Sequence, residues 1–158
     1  MSRVGIGYDS HRLITGRPLI IGGIEIEFDR GLAGHSDADV LAHAVTDAIL
    51  GAAGAGDIGS HFPPNDERWR DADSIELLRT VVAGLEGRVV NVDATVICER
   101  PPIGPHRDAI ESRLSEAVGA PVSVKATTNE GLGAIGREEG IAAIAVASFD
   151  PSPGPGSE

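Results

Sequence analysis

The chain has 158 residues, the size of one folding unit, with 24 acidic against 13 basic side chains and a formal charge of −11. That balance excludes a basic nucleic-acid footprint, and three Phe, one Trp and one Tyr are too few for a base-stacking platform. The single cysteine, Cys98, excludes an intramolecular disulfide framework; no run approaches the ~18 apolar residues of a membrane span, and the first residues lack the apolar core of a signal peptide. The expectation is a soluble, cytoplasmic protein with one domain over residues 1–150 and a disordered Pro/Gly/Ser tail over 151–158.

In chain order, Arg3 to Tyr8 reads as a first strand. Leu19 to Ile21 and Ile24 to Phe28 flank Gly22-Gly23, whose freedom at positive φ suits a two-residue hairpin turn. A glycine-rich loop, 29–35, precedes a helix with Ser36 as its expected N-cap; Leu41, Ala44, Val45, Ala48 and Ala52 share one helical face, and Asp39, His43 and Asp47 another. The stretch from Asp57 to Asp73 reads as a long loop, of the kind that often carries function. A helix from Ser74 to Leu85, an alternating strand from Val89 to Ile97, a Pro-rich connection, a helix from His106 to Val118 and a strand from Val122 to Thr127 follow. A glycine-rich loop over 128–140 leads to a last strand, Ile141 to Phe149, apolar enough to be expected buried on both faces. This order predicts an α+β fold: a mixed four-stranded sheet with helices on one face, plus the hairpin.

Three places can carry chemistry. In extended chain Asp9 and His11, two residues apart, point to one side, and His43 can join them from its helix; two imidazoles and a carboxylate suit Zn²⁺ with an open position. His35-Ser36-Asp37 opens a helix, where free N–H groups favour an anion. Thr127-Thr128-Asn129-Glu130-Gly131 ends a strand with hydroxyls, amides and one carboxylate, a set that can hold phosphate and a hard cation. Each also has a plainer reading as surface turn, helix cap or polar loop. Residues 5–8, GIGY, are too short for a dinucleotide fingerprint.

Taken together, the segments RVGIGYDSHRL, GLAGHSDADVLAHAVTDAILGAAGAGDIG, FPPND, NVDATVICERPPIGPH and VKATTNEGLGAIGREEGIAAIAVA resemble the 2-C-methyl-D-erythritol 2,4-cyclodiphosphate synthase family of the non-mevalonate isoprenoid pathway, over residues 3–149. The resemblance implies a homotrimer with active sites between subunits. It implies Zn²⁺ on Asp9, His11 and His43, a second divalent cation (Mg²⁺ or Mn²⁺) on Glu130, and transition-state stabilisation by His35 and Thr128. It implies a substrate surface of Asp9, Ser10, His11, His35, Ser36, Asp57, Ile58, Gly59, Phe62, Pro63, Pro64, Asn65 and Asp66. Cys98, Glu99, Arg100, Pro101, Pro102, Ile103 and Gly104 would line a cytidine pocket, and Thr127, Thr128, Asn129, Glu130, Ala134 and Arg137 would also contact the substrate. Arg137 and Glu139 would face the trimer axis, where an isoprenoid diphosphate can bind. The chain departs from the family pattern at Pro102 (usually Lys), at Asn129 and Gly131, at Ala134 (often aromatic), and at Ala38 and Glu138 (usually Gly), and Glu138 is expected to weaken an axial diphosphate by its charge.

The implied reaction is the intramolecular attack of a 2-phosphate on the β-phosphorus of 4-diphosphocytidyl-2-C-methyl-D-erythritol 2-phosphate, releasing CMP. An ionised phosphate is already a nucleophile, so the site needs charge neutralisation and folding of the substrate rather than a Ser or Cys nucleophile. A metal-dependent phosphodiesterase or pyrophosphatase, or a non-catalytic trimer binding isoprenoid diphosphates, are the alternatives.

Overall fold

Two glycines set the spacing of the central layer. Strand β1 (Arg3–Ile14) carries Gly5 and Gly7 on the side that helix α1 (Val40–Ala53) covers. A Cβ on Gly5 would lie 2.1 Å from the Ala48 carbonyl oxygen, and one on Gly7 1.9 Å from that of Ala44. The helix therefore rests directly on the strand backbone. Side chains alternate along a strand, so Asp9 and His11 lie on this same covered side, while Val4, Ile6 and Tyr8 face away.

A computed structural model describes residues 1–152. After β1 come β2 (Leu19–Ile21) and β3 (Ile24–Ile26), paired as the expected hairpin, then β4 (Gly31–Leu32) and α1. Next are α2 (Ile58–His61), a 3₁₀ turn (Glu67–Trp69), α3 (Ser74–Gly84), β5 (Arg88–Ile97) and a second 3₁₀ turn (Gly104–His106). The described chain closes with α4 (Arg107–Val118), β6 (Val122–Thr127), α5 (Gly133–Gly136) and β7 (Gly140–Asp150). The sheet runs β4-β1-β7-β5-β6, with β5 and β6 parallel and the other pairs antiparallel. Helix α1 packs over β1, β7 and β5, α4 over β6, and α3 lies against both helices. The core between the layers is aliphatic, centred on Leu41, Ile49, Ile75, Leu78, Ile110, Leu114 and Ile141.

Several expectations change. The sheet has five strands, not four: Gly31 and Leu32, assigned to a loop, pair with Ile14 and Leu13 because β1 runs six residues beyond Tyr8. Asp9-Ser10-His11 thus belongs to the strand rather than following it. Helix α1 begins at Val40, capped by Asp39, not Ser36. Ala38 at φ 56° turns the chain out of helical geometry just before it. Strand β7 is buried on both sides only at its start, since the helices cover one face; Ile144 and Val146 are exposed. The tail expected from residue 151 lies, from 153 onward, outside the described residues.

Candidate active site

Asp9 and His11 reach from β1 towards the first turn of α1, where His43 meets them. Asp9 Oδ2 is 2.7 Å from His11 Nε2 and 3.0 Å from His43 Nδ1, and the two imidazole nitrogens are 3.3 Å apart. The outer nitrogens are engaged: His11 Nδ1 donates to the Ala33 carbonyl oxygen at 2.7 Å, and His43 Nε2 lies 2.8 Å from Ser74 Oγ and 3.2 Å from Ser36 Oγ. Ser74 is itself buried and donates through Oγ to Asp37, whose second oxygen accepts Ser74 N–H at 3.0 Å. Nδ1–H of His11 is committed to a carbonyl, so Nε2 donates to the Asp9 carboxylate only when the ring is doubly protonated; in the neutral ring it turns a lone pair there, and that convergence of acceptors suits a cation. Burial opposes the Asp9 charge, yet hydrogen bonds from His11 and His43 outweigh it and hold the carboxyl down at about 2. Burial likewise opposes a charged His11, and the hydrogen bond and charge of Asp9 turn the balance, raising it above 6.5. Two imidazoles and a carboxylate, oriented by outer hydrogen bonds, are positioned to bind a divalent metal.

The rest of the Asp39, His43, Asp47 face also has work. Asp39, fully buried, caps α1 through Ala42 N–H (3.0 Å) and accepts Gly22 N–H (2.8 Å) and Gly23 N–H (2.6 Å), pinning the hairpin turn to the helix start. Asp47 accepts the Ile58 N–H at 2.7 Å and so fixes α2 beside His11 and His43. Asp57 caps α2 in a reciprocal capping box with Ser60. A cavity of about 180 Å³ opens here, lined by His11, His35, Ser36, His43, Ile58, Gly59, Phe62 and Pro64, together with Trp69 and Leu77. His35 Nε2 is 3.0 Å from the Asp66 carbonyl oxygen, and the Asp66 carboxylate is bonded to Arg68. Trp69 and Leu77 had no signal in the sequence beyond being apolar.

A second cluster forms at the other edge of the sheet. Cys98 N–H donates to the Thr127 carbonyl oxygen at 2.9 Å, and Glu99 accepts the Asn129 N–H at 2.7 Å. Thr128 Oγ1 accepts the Glu130 N–H at 3.2 Å, leaving the Glu130 carboxylate exposed. The Cys98 thiol, pushed up to about 12 by burial, donates to the Arg100 carbonyl oxygen at 3.0 Å and shapes the loop rather than acting as a nucleophile. Pro102 and Gly104 are exposed, Pro101 and Ile103 buried beneath them. None of Cys98–Gly104 or Thr127–Glu130 lines the cavity beside His11 and His43. Asp9 pairs across to Ala143, which pairs to Val96, which pairs to Ala126. Three strand spacings separate the two clusters, about 14 Å. Ala134 lies elsewhere again, against Ser10, His11 and Arg12. Arg137 Nε donates to Glu139 at 2.7 Å. Glu138 is not a free charge: its carboxylate is bonded to Arg100 and Arg30.

A sequence profile of the YgbB family matches residues 2–150. The chain belongs to the YgbB family. Among YgbB relatives, the 2-C-methyl-D-erythritol 2,4-cyclodiphosphate synthase of Salinibacter ruber is 57% identical over 153 residues, 93% of this chain and 98% of that protein. The enzyme of that name from Symbiobacterium thermophilum is 59% identical over 150 residues, 91% of this chain and 96% of that protein. A solved YgbB-type structure, a 2C-methyl-D-erythritol-2,4-cyclodiphosphate synthase in its CDP-bound form, superposes with TM-score 0.85 at 38% identity, covering 94% of this chain and all of that one.

Proposed function

We infer that the chain is a 2-C-methyl-D-erythritol 2,4-cyclodiphosphate synthase, a lyase of non-mevalonate isoprenoid biosynthesis acting in the cytoplasm. The observation that carries this is the Asp9, His11, His43 constellation beside a loop-lined cavity, in a chain 57% identical to the Salinibacter ruber enzyme along nearly its whole length. The 2-phosphate oxygen of 4-diphosphocytidyl-2-C-methyl-D-erythritol 2-phosphate bonds to the β-phosphorus. The bond from that phosphorus to the oxygen shared with the α-phosphate breaks, and CMP leaves with the electron pair.

Asp9, His11 and His43 would hold Zn²⁺, which would supply polarisation and charge neutralisation at a phosphate. Glu130, one exposed carboxylate on a loop, would hold a Mg²⁺ or Mn²⁺, which would supply charge neutralisation at the diphosphate. His35 and Thr128 donate hydrogen bonds to developing charge. Ser10, Ser36 and the segment Asp57, Ile58, Gly59, Phe62, Pro63, Pro64, Asn65, Asp66 fold the erythritol chain, and the apolar wall of Ile58, Phe62 and Trp69 limits water and so hydrolysis. Cys98–Gly104 receive the cytidine, and Thr127, Asn129 and Ala134 touch other parts of the substrate.

The separation of about 14 Å between the metal ligands and the Thr127–Glu130 cluster supports a site completed by a neighbouring copy. So does the uncovered sheet face, where Val4, Ile6 and Tyr8 are 70%, 65% and 61% exposed next to Ile144 and Val146. Both features fit the homotrimer that the family resemblance implies, with active sites between subunits. An isoprenoid diphosphate on the axis would have to compete with Glu139 for Arg137. The test is CMP release from the substrate by zinc-loaded protein. His43→Ala is expected to lose both zinc and CMP release; full turnover by zinc-free His43→Ala protein would sink the assignment.

A further inference from the structure

Glu138 holds φ 61°, a left-handed backbone conformation that residues with a Cβ seldom adopt. Its side chain is engaged at several points. Arg100 donates to it through Nε at 2.9 Å and Nη2 at 2.8 Å, a bidentate pair, and Arg30 Nη2 adds a contact at 3.3 Å. Arg30 Nη1 donates to the Glu138 carbonyl oxygen at 3.0 Å. Both guanidinium groups stack over the Phe28 ring, Arg30 at 5.4 Å and Arg100 at 5.9 Å. Arg100 belongs to the loop of Cys98–Gly104. One residue earlier, Glu99 accepts N–H groups of Asn129 (2.7 Å) and Gly131 (3.4 Å). Two adjacent residues of one loop are thus fastened to the two ends of the segment 129–138, and the outer fastening depends on Glu138.

We propose that Glu138 is a positioning residue for nucleotide binding: its grip on Arg100, backed by Arg30 and Phe28, holds the Cys98–Gly104 loop and the Thr128–Glu130 loop in one preformed cytidine-diphosphate cradle. The proposal rests on the assignment of those loops to the cytidine diphosphate. A preformed cradle binds without ordering its loops, so loss of the grip weakens nucleotide binding and leaves the chemical step alone. The Arg100 hydrogen bonds, then its charge, keep the Glu138 carboxyl below the usual carboxylate range, so the grip persists at neutral pH.

The test is calorimetric titration of CDP with steady-state kinetics on the zinc-loaded enzyme. Glu138→Asn keeps a side chain that tolerates left-handed φ but is too short to reach both arginines. It is expected to raise the CDP Kd and the substrate KM by about fivefold, with kcat and zinc affinity unchanged. Glu138→Gln, which retains reach, should fall between it and the wild type. Glu138→Gly, free of backbone strain, guards against misfolding and should behave like Glu138→Asn. Wild-type Kd and KM in both Glu138→Asn and Glu138→Gly would overturn the proposal, as would a fall in kcat with KM unmoved. A wild-type enzyme that binds no CDP would instead overturn the cytidine-site assignment beneath it.

Discussion

Replacing Gly7 by alanine tests how the sheet and α1 build the metal site. The added Cβ would lie 1.9 Å from the Ala44 carbonyl oxygen and 2.7 Å from Ala48 N, both backbone atoms of α1 that no side-chain rotation can move. Restoring an ordinary van der Waals contact of 3.4 Å requires the helix to retreat by about 1.5 Å. Overpacking of this kind costs about 3 kcal/mol, and for a chain of this length the melting temperature should fall by about 6–12 °C. The same retreat carries His43 away from Asp9 and His11, whose positions a metal tolerates to within about 0.2 Å, so zinc affinity should fall by about 10–100-fold. Gly51→Ala is the matched control on α1: its nearest neighbours are 3.8 Å away, and the change should leave stability equal or slightly higher. Thermal melts of the metal-free proteins and chelator-competition zinc titrations read both effects. A Gly7→Ala protein that melts within 1 °C of the wild type and keeps its zinc affinity would refute the reasoning.

Two further predictions concern charge and assembly. In metal-free protein, Asp9, held down from 3.8 to about 2, contributes about 2 kcal/mol that is complete above pH 3.8 and lost as pH falls towards 2. His11, raised above 6.5, contributes stability that is complete below pH 6.5 and lost as pH rises through its folded value. The stability gap between wild type and Asp9→Asn, measured by urea unfolding with chelator present, should be widest between these limits and narrow on both sides; a gap constant from pH 2 to 9 would contradict the pairing. The proposed trimer predicts that co-expression of His43→Ala with Thr128→Ala restores activity, since random mixing would leave about a quarter of the shared sites with both residues intact. Activity no greater than the two variants give separately would contradict a shared site.

What the sequence makes legible follows from where local rules govern. Asp9 and His11 are readable as a pair because strand alternation holds whether β1 ends at Tyr8 or at Ile14. His43 is readable from helical spacing, even though the N-cap of α1 is Asp39, three residues beyond Ser36. Ser36 is drawn instead to His43 Nε2 and the Ala38 N–H, contacts that depend on the fold. Strand β4 is two residues long and exists only because β1 extends to meet it, so no local pattern marks it. Gly5 and Gly7 look like half a nucleotide motif; their role appears only when a helix backbone lies on them. The relay from His43 through Ser74 to Asp37 spans 37 positions between its last two members, beyond any spacing rule. Glu138 reads as a free negative charge until Arg30, 108 residues away, is folded against it.

The central claim, that the site closes a ring rather than adding water, is tested most directly by phosphorus NMR of the product formed from 4-diphosphocytidyl-2-C-methyl-D-erythritol 2-phosphate by the metal-loaded enzyme. The account predicts two coupled resonances of a cyclic diphosphate, appearing in step with CMP. Linear phosphate monoesters or diphosphates in their place would show a hydrolase and contradict it.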